Sequence, residues 1–471
     1  MILFALTVIV LFAASRTGYL NLPFYWDEAW SYATAVFTMA GDKLAILPGN
    51  ADPELTRGHP LVFYFLAAAW VKVMGTKLAV VHLFPLFLSV TLLMAVFFIS
   101  IKLFNRQTAM VAMVALALQA MFLAQSTQLL PEVMLALWTI LTTYAYFSNR
   151  WCLFVLFSVL LVMTKETGMV LIGVLFLDKL LFERFFVHHE SAKRQISLVG
   201  ELAFMMIPVL AFILFMILQK IFYGWYLYPG HLNLAVTEPH EVLGRFRTFL
   251  SKLLFQHGRS LFFAMSVMAF AWLVMKKSIS RPVARMMLFS VVFILLFLAF
   301  SSINFFTTRY LICILPFYLM PGSWLITTWI KNNALKGFAT LALGGIFAWY
   351  SFAGYLNEQD TSLGYRKTVL LQQKAVHFAE DSQWQNKKIY ATFLMQYYLT
   401  VPYLGYLHDP SSPFSFIGNK PGAGYEVFLF CSNEPDPLYQ VISNNPQYSL
   451  VKRFEDVKAW VEYYSIDRPI N

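Results

Sequence analysis

The sequence predicts an α-helical polytopic membrane protein that ends in a small α/β domain. Three observations carry this. Of 471 residues, 59% are hydrophobic and only 13% are charged, whereas a soluble domain carries about a quarter charged residues. Mean hydropathy is +0.61. Apolar stretches near the ~20 residues needed to cross a bilayer recur up to residue 356, after which the composition turns polar and turn-rich. At roughly 150 residues per domain the length would suggest three soluble domains, but so few charges could not cover their surfaces.

Spans are read at 1–15, 80–101, 108–125, 131–148, 151–164, 168–182, 198–220, 260–275, 286–302, 309–330 and 338–356, eleven in all. The first lacks the basic n-region and small-residue cleavage site of a signal peptide and is kept as a span. A long outer loop, 16–77, follows it. Within that loop, Trp26 to Gly41 has helical spacing, acids in its first turn and Gly41 as its stop. His59 to Met74 is similar, opened by Pro60. Both suit aromatic-rich helices lying in the membrane interface, too polar to span. From Asn357 to Asn471, ten Lys/Arg stand against twelve Asp/Glu. There Lys388–Leu394 and Tyr425–Phe430 read as strands and Glu455–Tyr464 as a helix. The expected domains are therefore a membrane domain, 1–356, and a C-terminal domain, 357–471. No internal repeat of fixed period is present, which weighs against a transporter built from inverted repeats.

The net charge of +10 is a topology signal. With Met1 in the cytoplasm, the short loops 102–107, 149–150, 183–197, 276–285 and 331–336 are cytoplasmic, and their 39 residues hold twelve Lys/Arg. An odd number of spans then puts the tail outside, beside the first loop. The basic residues do not cluster on one soluble face, so nucleic acid is not an expected partner. Cys152, Cys313 and Cys431 are too few and too scattered for a disulfide framework or a cysteine metal site.

Ionisable residues at membrane edges are costly to bury and are functional candidates by default. The outer set is Asp27 and Glu28, Arg57 and His59, Glu132, Lys165 and Glu166, and Arg309 with Tyr310. They come from five separate stretches that could converge on one cavity. Each has an ordinary reading as well. Asp27–Glu28 and Glu132 suit helix starts, Lys165–Glu166 suits a snorkelling pair, and Arg309–Tyr310 suits an interface anchor. Histidine is not rare on that side (His231, His240, His257), so His59 says little alone. The combination says more than any member.

The combination resembles the GT-C membrane glycosyltransferases. Phe24-Tyr-Trp-Asp-Glu-Ala-Trp-Ser-Tyr32 looks like their Asp-Glu-Ala-x-x-Tyr signature, closest to the bacterial relatives of protein O-mannosyltransferases and of the lipid A aminoarabinose transferase. Gly41-Asp42 with Gly58-His-Pro-Leu-Val-Phe-Tyr64 resembles the second loop motif of that branch, and Gly75 its closing glycine. Gln128-Leu-Leu-Pro-Glu132 is similar to the second acidic position, more often Asp. Thr164-Lys-Glu-Thr-Gly168 looks like the lysine motif after the fifth span, and Thr308-Arg-Tyr-Leu-Ile-Cys-Ile-Leu-Pro316 like the late Arg-Tyr motif. Two departures stand out: Glu132 for Asp, and His59 where many relatives carry Lys or Arg-Pro-Pro.

The resemblance implies inverting transfer of a sugar from a polyprenyl-phosphate donor to an acceptor hydroxyl of a lipid (lipid A), glycan or protein on the periplasmic face of a bacterial inner membrane. Such a reaction needs a carboxylate to take the hydroxyl proton and cations at the leaving phosphate. Asp27 is the expected base and Glu132 a second acid. Lys165, Arg309 and Arg57 are the expected phosphate ligands, and Glu28, His59, Tyr310 and Glu166 the supporting substrate-site residues. No cofactor is required. Mg²⁺ or Mn²⁺ on Asp27 and Glu132 is the metal alternative, since carboxylates suit these ions. The rival functions are a polysaccharide polymerase or ligase, and a lipid-linked sugar transporter.

Overall fold

Long uncharged runs of Leu, Val, Phe and Met leave the backbone no polar partner but itself, which in a bilayer dictates helix. The computed structural model describes residues 1–49, 51–186, 197–304, 307–353, 359–420, 422, 424–456 and 458–466. Among these, four helices are long and apolar enough to cross a membrane: Ile2–Tyr19, Leu78–Leu103, Leu198–Tyr223 and Arg281–Ile303. Length and hydropathy thus support four of the eleven predicted spans. Other predicted stretches hold shorter helices, among them Arg106–Ala117, Glu132–Phe147 and Trp151–Val162. Lys193 and Arg194 of the basic loop, and Asn357 at the predicted domain boundary, lie outside the described residues.

The first outer loop packs inward. Glu28–Ala33 is a π-helical turn running into the helix Thr34–Gly41, and Val62–Met74 packs against it. Tyr32 stacks on Tyr64 with ring centroids 5.5 Å apart. A further amphipathic helix, Pro239–Phe255, was not predicted, because Arg245, Arg247 and Lys252 interrupt its apolar pattern. It meets Arg259–Met275 at an 84° bend. Gly258 makes that bend with φ +80°, and a Cβ there would come within 2.6 Å of Ile346. The buried Arg259 guanidinium then caps the amphipathic helix, donating to the carbonyls of Leu253 (2.7 Å) and Lys252 (2.5 Å), as a cation at a helix C-terminus should.

The tail opens with the helix Tyr365–Asp381. Strands Ile389–Ala391 (β1), Ile417–Gly418 (β2), Val427–Cys431 (β3), Tyr448–Asp456 (β4) and Ala459–Ile466 (β5) form one sheet in the order β2-β1-β3-β5-β4. β1 is parallel to β2 and β3, while β5 is antiparallel to β3 and β4. The predicted Glu455–Tyr464 helix is therefore wrong. Glu455 and Asp456 end β4 and Ala459–Ile466 is a strand, paired Asp456 to Ala459. Trp460, Val461, Tyr463 and Tyr464 are β-branched or aromatic, which fits a pleated surface, and the acids before them mark a hairpin turn instead of a helix start. The predicted strand at Lys388–Leu394 is shorter than expected, since a helix takes over at Phe393.

Bundle and tail share one hydrophobic core. The joint is made at Phe24, whose N–H donates to the Leu404 carbonyl (3.0 Å) and whose carbonyl accepts from the Tyr406 hydroxyl (3.1 Å). This puts the tail directly over the segment that carries Asp27.

Candidate active site

Two adjacent backbone features shape the site. Trp26, just before Asp27, and Arg57, just before Gly58, both have φ +52°. For a non-glycine residue this is uncommon, and such strain collects at functional positions. Glu28 clamps the first of these turns. Its carboxylate accepts from the Tyr25 N–H (3.1 Å) and the Leu129 N–H (2.5 Å), and faces His82 Nε2 at 3.2 Å. Glu28 therefore ties the first outer loop to the 128–132 turn and lines neither of the two cavities described below.

The charges at the centre converge on Arg309. Its guanidinium reaches Asp27 Oδ2 (2.5 Å), Glu132 Oε1 (3.3 Å) and Asp360 Oδ2 (2.7 Å). Lys165 Nζ binds the same Glu132 oxygen at 3.1 Å and lies 4.0 Å from the Tyr310 ring. Asp27 Oδ1 accepts from Trp30 Nε1 (3.1 Å), and Arg57 lies over the Trp30 ring at 4.8 Å. Glu132 is 1% exposed, and its Oε2 has no hydrogen-bond partner. The predicted Asp27, Glu132, Lys165 and Arg309 thus form one chain of contacts. Asp360, which closes the set, was not predicted. It stands just past the last span, where the only available signal was an acid at an outer membrane edge.

Burial favours the neutral form of carboxylates, and charged neighbours oppose it. At Asp27 burial pushes the carboxyl up, but the Arg309 guanidinium, helped by Arg57 and Trp30, holds it below its ordinary value. At Asp360 burial wins, and Arg309 offsets it only in part, so this carboxyl is raised. Burial lowers Lys165, but Tyr310 and Glu132 together raise it.

Cavities open on both sides of this chain. One, of about 330 Å³, has Arg57, His59, Lys165, Glu166 and Tyr310 at its polar end and Phe212, Phe215, Met216 and Leu232 along its walls. The other, of about 430 Å³, is lined by Asp27, Lys252, Arg309, Asp360 and Asn433. Both volumes fall in the range of ligand pockets. Glu132 lines neither; it stands behind Lys165 and Arg309.

A fold with these helices, this inward-packed first loop and this covering tail can be compared with known structures. ArnT from Cupriavidus metallidurans in the apo state superposes with a TM-score of 0.60 at 13% identity, covering 98% of this chain and 97% of that one. The same protein bound to undecaprenyl phosphate gives 0.59 at 12%, over the same shares. The oligosaccharyltransferase AglB from Archaeoglobus fulgidus, in complex with an inhibitory peptide and a dolichol-phosphate, gives 0.51 at 12%, covering 90% of this chain and 69% of that one. All are built on the GT-C fold. This chain has the GT-C fold. In sequence, no family model and no curated protein matches it.

Within the GT-C frame, His59 and Glu166 line the mouth of the apolar cavity, with His59 Nδ1 2.9 Å from Glu166 Oε2 and the His231 ring 4.8 Å from that of His59. Burial opposes ionisation of Glu166, yet His59 holds its carboxyl down at about 2. Burial, then His59, lowers His231 to about 3. These three side chains offer ligand atoms within 4.8 Å of one another and could hold a metal ion. Asp27 and Glu132 do not fit one between them. Arg309 bridges the two carboxylates, and an Mg²⁺ or Mn²⁺ ion would have to displace it.

Proposed function

We propose that this protein is an inverting glycosyltransferase that moves a sugar from a polyprenyl-phosphate donor to an acceptor hydroxyl. The observation that carries the reading is the chain Lys165–Glu132–Arg309–Asp27, which runs from an apolar cavity with a cationic end to a polar cavity holding a carboxylate. The apolar cavity suits a lipid tail with its phosphate at Lys165 and Arg57. The polar cavity suits an acceptor hydroxyl beside Asp27. The neighbours whose structures hold undecaprenyl phosphate or dolichol-phosphate support a donor of this class.

Arg309 occupies Asp27 in the resting arrangement, and a guanidinium-bound carboxylate is a poor base. The incoming donor phosphate competes for Arg309 as a bidentate partner and frees Asp27 to accept the acceptor proton. Bond making at the anomeric carbon and loss of the lipid phosphate occur in one displacement, which gives inversion. Glu132 holds Lys165 and Arg309 in place. Glu28, His59, Glu166 and Tyr310 position the loops and cations around them.

Transfer from a polyprenyl-phosphate sugar by the purified protein, followed by mass spectrometry of the product, tests the reaction. Release of polyprenyl phosphate without a new glycoside, or no donor turnover at all, would remove it. Replacing Lys165 by Met should weaken donor binding by about 1.5–3 kcal/mol, the usual worth of a charge-assisted contact. Unchanged donor affinity would move the phosphate site towards Arg57.

The same reading puts the reaction on the periplasmic side of a bacterial inner membrane, with the N-terminus in the cytoplasm and 357–471 as a periplasmic domain that shapes acceptor choice through Asp360 and Asn433. Val441 is 59% exposed on the tail. A Val441→Cys protein, with the exposed Cys152 changed to Ser, should react with an impermeant maleimide on intact spheroplasts. Reaction only after lysis would invert the topology.

A further inference from the structure

We propose that His377, Glu380 and His408 form a binding site for a Zn²⁺-class transition-metal ion on the tail, separate from both cavities. His377 and Glu380 are three residues apart on the helix Tyr365–Asp381, so both project from one face. His408 comes from the loop that follows β1 and the helix Phe393–Thr400. One ligand atom from each of the three lies within 4.8 Å of the others.

The surroundings are those of a ligand set. Glu380 is 9% exposed, and a carboxylate this buried ordinarily pairs with a cation. Among the described residues no lysine or arginine pairs with it; it accepts instead from the backbone N–H of His408 (3.1 and 3.0 Å) and of Asp409 (3.3 Å). Those bonds fix the carboxylate's direction while leaving it lone pairs. The Tyr406 backbone carbonyl lies beside the His377 ring, placed to engage one ring nitrogen and leave the other for a metal. The two imidazole rings lie with centroids 3.4 Å apart, tilted by 30°. Ligation asks them to splay, and the exposed His408 is free to swing. Two imidazoles and a carboxylate suit Zn²⁺ and leave a fourth position for water.

An ion there would join the Tyr365–Asp381 helix to the loop that grips Phe24 through Leu404 and Tyr406, three residues before Asp27. The test uses the full chain in detergent, stripped with a chelator and titrated with ZnCl₂, with MgCl₂ as control. Wild-type protein should bind one more equivalent of Zn²⁺ than His377→Gln/His408→Gln, and Zn²⁺ should raise the unfolding temperature of wild type more than that of the double variant, because an ion that binds only the folded state stabilises it. His408→Gln alone, at an exposed position, should weaken that equivalent by at least the roughly 10- to 100-fold that loss of a supporting partner costs. Zn²⁺ held at His59, Glu166 and His231 would be retained by both variants. Equal stoichiometry and affinity in wild type and both variants, or no Zn²⁺ binding by wild type, would overturn the site.

Discussion

Asp27→Asn protein is expected to bind a polyprenyl-phosphate lipid as wild type does and to transfer sugar about 10²-fold more slowly or worse, the usual size of general-base catalysis. Asn keeps the shape of the side chain and can still accept from Trp30 Nε1, which lies 3.1 Å from Asp27 Oδ1. It cannot also accept from Arg309, now 2.5 Å from Oδ2, so one buried donor loses its partner. That costs about 1–3 kcal/mol of stability, and monodispersity and unfolding temperature must be measured beside transfer. Lipid affinity should be at least retained, because Lys165 and Arg57 line the other cavity and Arg309, no longer held by the Asp27 charge, stays available to the phosphate. If the variant is monodisperse and transfers at the wild-type rate, Asp27 is not the base. Glu132, whose Oε2 is unpartnered, then takes its place.

The sequence made the helical membrane architecture and the side-chain types of the site legible, for a physical reason. A bilayer forces long apolar runs and makes each charge at their ends expensive, so the few charges that remain are informative. Asp27, Glu132, Lys165 and Arg309 could be picked out because each interrupts an apolar surround. What was not legible depends on how distant segments meet. Asp360 opens a polar stretch, where an acid at the outer membrane edge is too weak a signal to stand out from its neighbours. His82 lies inside an apolar helix, and only the structure shows it against Glu28. Pro239–Phe255 is charged enough to read as loop, and its helix is completed by Arg259 from beyond the bend. The misread β5 failed differently, since Trp460, Tyr463 and Tyr464 satisfy a helical period and a strand alike. Only pairing with β3 and β4 decides between them.

Arg309→Met should be the most destabilising single change at the site. Methionine keeps much of the length and apolar stem of arginine but removes the one cation that Asp27, Glu132 and Asp360 share. Lys165 still pairs with Glu132, but Asp27 and Asp360 lose their guanidinium. Breaking a buried ion pair from one side costs about 3–5 kcal/mol. The sign of its pH dependence follows from the wild-type shifts. In wild type Arg309 holds the Asp27 carboxyl down against burial and keeps Asp360 from rising further. Without it, burial raises both carboxyls above their unfolded values. A group raised in this way binds its proton more tightly when folded, so acid favours the folded variant and the penalty is greatest when both carboxyls must ionise. The deficit in unfolding temperature relative to wild type should therefore shrink as pH falls from about 8 to 5, within the range where folded proteins are ordinarily most stable. Thermal unfolding of both proteins across that range measures it, and a deficit that stays constant or widens in acid would mean that Arg309 does not carry these carboxylates. Transfer should be lost as well, since the same guanidinium is the group proposed to pass from Asp27 to the donor phosphate. An Arg309→Lys protein separates the two roles: a point charge restores part of the stability but lacks the fork that reaches three carboxylates, so it should fold better than Arg309→Met and remain nearly as inactive.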